Sequence, residues 1–209
     1  MPFKPKEREY RSFAVELEIP EAQEKKIETD YYVEGYALKY APYPFYVDEK
    51  GETIYEEFKR EAFNDCDMTD VIFQYNHEGR VFARNRNGSL LLWFDDIGLK
   101  VAADLSLTSS SRALYEDIKS GLSDQMSFCF KYGDVSYDKE TRTIIHKRVK
   151  KIYDVSAVSI PANATTELYA RQFADVLIGP VKEELEKRER QRKKLKLKIE
   201  MENLNHENT

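Results

Sequence analysis

Long apolar runs are missing from this chain. No stretch approaches the roughly 18 to 20 apolar residues that a membrane-spanning helix needs. The amino end, Met1-Pro2-Phe3-Lys4-Pro5-Lys6-Glu7-Arg8, leads into charge rather than into the apolar segment of a secretory signal. Neither membrane insertion nor secretion is expected. Cysteine is scarce too: Cys66 and Cys129 are far apart, and neither has a second ligand at metal-site spacing. Reduced thiols are expected rather than a disulfide. The eight glycines build no phosphate-binding loop. An excess of positive charge is absent as well. Lys and Arg total 33 against 38 Asp and Glu, a formal net charge of -5, so no specific nucleic-acid partner is expected. Histidine occurs three times. His77-Glu78-Gly79-Arg80-Val81 starts like a zinc-protease helix but lacks the second histidine at i+4. No metal and no other cofactor is expected.

What is present suits one globular body with a charged extension: 209 residues, 41% hydrophobic and 34% charged. Residues 1–28 form a charged amino-terminal segment, with alternation over Phe13–Ile19 predicting a first strand. The body is expected over 29–175. Strands are predicted at Tyr32–Leu38, where Gly35 marks a bulge or close approach, and at Val71–His77. A helix is predicted over Glu56–Phe63. Leu90–Phe94 and Leu99–Leu105 flank the turn Asp95-Asp96-Ile97-Gly98 as a hairpin. Thr108-Ser109-Ser110-Ser111 offers N-caps for a helix over Arg112–Lys119, which Gly121 ends. Strands follow at Asp124–Phe130 and Ile152–Val158, with a hairpin between them turning at Lys139–Arg142 and a proline stop at Pro161. Residues 176–209 form a tail, turning abruptly to Glu, Lys and Arg near Glu183, as in a solvated helix, and ending in a disordered terminus. The fold class is mainly β with a few helices, α+β.

Three of these strands carry chemistry. A serine is a weak nucleophile until a base stands beside it. Histidine can take and return a proton near neutral pH, and a carboxylate behind it orients the ring and stabilises the imidazolium. His77, Ser127 and Asp154 supply these three types. His146 is the other histidine of the body, since His206 lies in the tail. Alternation puts Met126, Phe128 and Phe130 on one face of their strand and Ser127 and Cys129 on the other. Spacing alone leaves the alternatives open: a structural histidine, a serine facing solvent, or a cysteine nucleophile at Cys129. Asp154, between Tyr153 and Val155, is costly in an apolar strand unless paired.

The order of segments adds a resemblance. Val33-Glu34-Gly35-Tyr36-Ala37, Tyr55-Glu56-Glu57-Phe58 with Ala62-Phe63, and Asn76-His77 resemble the opening of the tailed-phage prohead (capsid maturation) serine proteases. Asp96-Ile97-Gly98-Leu99, Ile118-Lys119-Ser120-Gly121, Met126-Ser127-Phe128-Cys129-Phe130 and Asp154–Asn163 continue it in order. The resemblance implies a relation to the herpesvirus assembly proteases, with a β-barrel ringed by helices. It implies a catalytic His77, a nucleophilic Ser127 and Asp154 as third member; His146 is the alternative, because the herpesvirus enzymes use a second histidine. Cys129 stands where family members more often have glycine. The function it implies is a serine endopeptidase inside the viral procapsid, in the host cytoplasm. Scaffold and major capsid protein would be its substrates, with self-cleavage and loss of the tail as extensions, and a homo-oligomer, such as a dimer, its form. The rival readings are a non-catalytic scaffold or core protein that keeps the protease fold, and a cysteine peptidase using Cys129.

Overall fold

The computed structural model describes residues 8–20, 25–48 and 50–159, and, towards the carboxyl end, the helical residues 178–180, 184, 187–188, 190–194 and 196. The expected proline stop at Pro161 and the expected disordered terminus lie outside the described residues.

Among the described residues, twelve strands build three sheets. The strand β1 (Glu9–Glu16) begins four residues earlier than its alternation suggested. It is followed by β2 (Tyr32–Lys39), β3 (Tyr43–Val47), β4 (Thr53–Phe58), β5 (Ile72–Tyr75), β6 (Glu78–Arg84), β7 (Leu90–Phe94) and β8 (Gly98–Asp104). After helix α1 (Ser109–Lys119) come β9 (Gln125–Tyr132), β10 (Val135–Asp138), β11 (Thr143–His146) and β12 (Val149–Val158). The five-stranded sheet runs β1-β9-β12-β5-β6, the four-stranded one β10-β11-β4-β3 and the three-stranded one β2-β8-β7. The protein is thus mainly β with few helices. The closed barrel that the resemblance implied is not seen among the described residues, nor is a ring of helices. Instead, among the described residues, the five- and three-stranded sheets share one core and are joined through the backbone by one isolated bridge, Glu18 to Glu34, where each N–H donates to the other's carbonyl oxygen.

The helix predicted over Glu56–Phe63 is corrected to a strand, β4, followed by a 3₁₀ turn at Arg60–Phe63. Helical composition loses here to burial with a period of two: Ile54, Glu56 and Phe58 turn inward while β4 pairs on both sides, with β3 and β11. The β7–β8 hairpin forms as its pattern predicts. Helix α1 starts one turn earlier than the hydrophobic spacing suggested. Thr108 caps it by accepting the Ser111 N–H at 3.0 Å, and Gly121 follows its end with φ 76°. The turn at Lys139–Arg142 is also present, but it joins β10 to β11, while β9 pairs with β1 and β12.

The main core lies under the five-stranded sheet. Met126, Phe128 and Phe130 from β9 meet Phe58, Phe73, Leu105, Leu114, Ile118, Ile152 and Val155 there. A smaller cluster on the four-stranded sheet joins Tyr46, Ile54 and Ile144 to Ile178.

Candidate active site

The strand β9 is buried on both faces, because alternate residues serve two different purposes. Met126, Phe128 and Phe130 fill the core, while Ser127 and Cys129 point to the other face and are equally inaccessible. Ser127 therefore does not face solvent. Its neighbours across the ladders are Ser12 of β1 and Ser156 of β12.

His77 reaches Ser127 from a hairpin tip rather than from the strand end its sequence suggested. β5 and β6 close at Tyr75–Glu78, leaving Asn76 and His77 as a two-residue turn with φ 51° and 59°. Such turns require φ > 0 at both positions, which asparagine tolerates and histidine adopts at some cost. The turn is held against the end of β12: Asn76 N–H donates to Ala157 O at 2.9 Å, and Ser159 N–H donates to the Asn76 side chain at 3.2 Å. Local strain is thus offset by long-range hydrogen bonds, and the imidazole is aimed inward.

Asp154 arrives through a β-bulge. Ile152 pairs with Phe130 and Asp154 with the adjacent Cys129, so Tyr153 is an extra residue on β12. Without it, strict alternation would put Asp154 on the same face as the core residue Ile152. The extra residue reverses the faces, so Asp154 and Ser156 join Ser127 while Val155 and Ala157 return to the core.

These three routes bring the predicted residues together. His77 Nε2 lies 2.5 Å from Ser127 Oγ, and Nδ1 is hydrogen-bonded to Asp154 Oδ1. With a carboxylate as its partner, Nδ1 carries the proton, so Nε2 is left to accept from Ser127. The Tyr10 ring meets the imidazole edge-on, 4.7 Å between centroids. Ser127 Oγ also lies 2.9 Å from the main-chain oxygen of Arg11. Sequence reasoning missed three members of this surround: Tyr10, the Arg11 carbonyl and Ser156. Only Ser156 left a signal, two residues beyond Asp154 on a strand.

The other candidates lie elsewhere. His146 is fully buried and donates from Nε2 to Glu56 Oε1 at 2.7 Å, with its ring stacked on Phe58 at 4.2 Å. Glu56 also accepts two hydrogen bonds from Arg11, at 2.6 and 2.9 Å, and one from the Tyr43 hydroxyl. Burial alone would raise the Glu56 carboxyl, but the Arg11 guanidinium and the His146 ring hold it at about 2. Burial pushes the His146 imidazole below its usual value, against the pull of Glu56. Cys129 sits beside Asp154. Burial and that carboxylate push its thiol well above the ordinary range, the opposite of what a thiolate nucleophile needs. Among the described residues no group of three or more His, Cys, Asp or Glu side chains is placed to hold a metal ion. No described helix is long and apolar enough to cross a membrane.

A serine, a histidine and a carboxylate in one hydrogen-bonded line can carry out nucleophilic acyl transfer. The family model of the caudovirus prohead serine proteases matches residues 16–177. The chain belongs to that family. No curated protein and no solved structure matches it. Members of the prohead protease family are capsid-maturation peptidases, and the match spans all the strands from β2 to β12, leaving most of β1 outside it.

Proposed function

We propose that this prohead protease is a serine endopeptidase that cleaves scaffold and major capsid protein inside the procapsid, in the host cytoplasm. Ser127 attacks the scissile carbonyl. His77 takes its proton at Nε2 and returns it to the leaving amine, while Asp154 holds the ring through Nδ1. The observation that carries this reading is the unbroken line Ser127–His77–Asp154, assembled from a strand, a hairpin tip and a bulged strand. His146 is engaged by Glu56, which favours Asp154 as the third member. Kinship with the herpesvirus assembly proteases, a dimeric or higher form and self-cleavage that releases the tail belong to the same proposal. So does the division into an amino-terminal segment 1–28, a protease body 29–175 and a tail 176–209.

Co-expression with the cognate capsid and scaffold proteins tests it. The wild-type chain shortens them, Ser127→Ala abolishes processing while particles still assemble, and Cys129→Ala still processes. Processing by Ser127→Ala would refute the serine mechanism. A wild-type chain that cleaves nothing would favour the non-catalytic scaffold reading. An unshortened chain in mature particles, read by intact mass, would refute removal of the tail.

A further inference from the structure

We propose that Ser156 is a positioning residue that clamps the His77–Asp154 pair from β12; the inference rests on the triad reading above. Its Oγ lies 3.0 Å from Asp154 Oδ1 and 3.2 Å from His77 Nδ1. The hydroxyl has one proton, and Nδ1 already carries its own when Asp154 accepts from it. Ser156 therefore donates to the carboxylate and turns a lone pair toward the Nδ1 proton. The imidazole is held by two acceptors on one strand, which resists rotation of the ring more than Asp154 alone would.

Packing does not call for a hydroxyl at this position. Ser156 is fully buried, and its strand neighbours Val155, Ala157 and Val158 are apolar. An alanine would fill the site without desolvating a polar group, so a serine is favoured only through its partners. The bulge at Tyr153 makes those partners available, because it puts Ser156 and Asp154 on the same face. The chemical consequence concerns the proton cycle. Asp154 is almost inaccessible, and the Ser156 donor supports its negative charge while the imidazolium forms and discharges. With that donor removed, the carboxylate has less support and holds the imidazolium more tightly. Proton return to the leaving amine then slows.

The test uses the full chain and a peptide spanning a capsid-protein junction mapped with the wild-type enzyme. Ser156→Ala is expected to lower kcat about 10- to 100-fold, the scale of one hydrogen bond to a charged group, with KM little changed. The acid limb of its kcat/KM profile is displaced from that of wild type, and Ser156→Thr, which keeps the oxygen, recovers most of kcat. Wild-type kcat and pH profile in Ser156→Ala would overturn the clamp, as would an equal loss in Ser156→Thr. A measurement independent of turnover separates this from failure of the triad reading. In a Ser127→Ala background, the downfield proton resonance of His77 Nδ1–H should move when Ser156→Ala is added. An unmoved resonance would overturn the clamp whatever the activity assays show, whereas cleavage by Ser127→Ala would overturn the triad alone.

Discussion

Replacing Glu56 with alanine should cost this protein much of its stability, although Glu56 makes no contact with the candidate triad. Its carboxylate is inaccessible and accepts from Arg11 twice, from His146 and from Tyr43. Truncation removes the carboxylate that the buried guanidinium meets at 2.6 and 2.9 Å, while Glu9 lies farther off at 3.5 Å. Removing one partner of a buried ion pair costs about 3–5 kcal/mol. The depression of the carboxyl from 4.5 to about 2 gives a similar figure, roughly 3 kcal/mol. For a chain of this size each kcal/mol lowers Tm by about 2–4 °C, so a fall of about 6–20 °C is expected. Thermal unfolding followed by circular dichroism at neutral pH reads this directly. Adding Arg11→Met should recover a large share of the loss, because the guanidinium that lost Glu56 is then gone. A Tm within about 3 °C of wild type for Glu56→Ala would refute the argument, as would a double variant less stable than the single one. The same cluster sets an acid limit. His146, whose folded value is depressed, takes up its proton first in the unfolded chain, so stability starts to fall as pH drops below about 6.5. Glu56 stabilises fully above its unfolded value of 4.5, and that contribution is lost as pH falls through about 2.

Three further predictions concern the site and its frame. Asp154→Asn should lower kcat by about 10³–10⁴-fold with the fold intact, because an amide no longer fixes the Nδ1–H tautomer; near-wild-type turnover on the junction peptide would contradict the role given to Asp154. Cys129 should resist iodoacetamide in the native protein and react only on unfolding, since it is buried and its thiol is pushed up; rapid labelling read by mass spectrometry would show a more open site. Gly98→Ala should prevent stable folding, because a Cβ there would stand 1.9 Å from the Leu38 carbonyl oxygen in the β2–β8 ladder. A soluble variant with wild-type Tm would show that the two strands can separate without cost.

Much of this fold was legible in the sequence, and the parts that were not share a cause. The Leu90–Asp104 hairpin, the capped helix before Gly121 and the strand around Ser127 were readable because their signals are local: turn residues, a cap, and alternation. The Glu56–Phe63 segment was misread because its charged composition suits a helix in isolation. It becomes a strand because β3 and β11 compete for its backbone from both sides. The closed barrel was inferred from resemblance and depends on ladder continuity, which one isolated bridge at Glu18–Glu34 does not supply among the described residues.

For the candidate site, the sequence by itself determined the chemistry available: one serine among bulky residues on β9, two histidines in the body and an aspartate in an apolar strand. Residue identity is local information, and so is the face of β9 that Ser127 takes, because strand alternation follows from backbone geometry. Beyond what the resemblance implied, which histidine meets Ser127 and which face of β12 Asp154 takes are decided by tertiary structure. His146 is drawn to Glu56, whereas Asn76 pins the tip that carries His77 against β12. Tyr153, an extra residue on β12, turns Asp154 and Ser156 away from the core and towards Ser127. A bulge is a property of two paired strands rather than of either one. It exists only once β9 and β12, far apart in the chain, have settled their register.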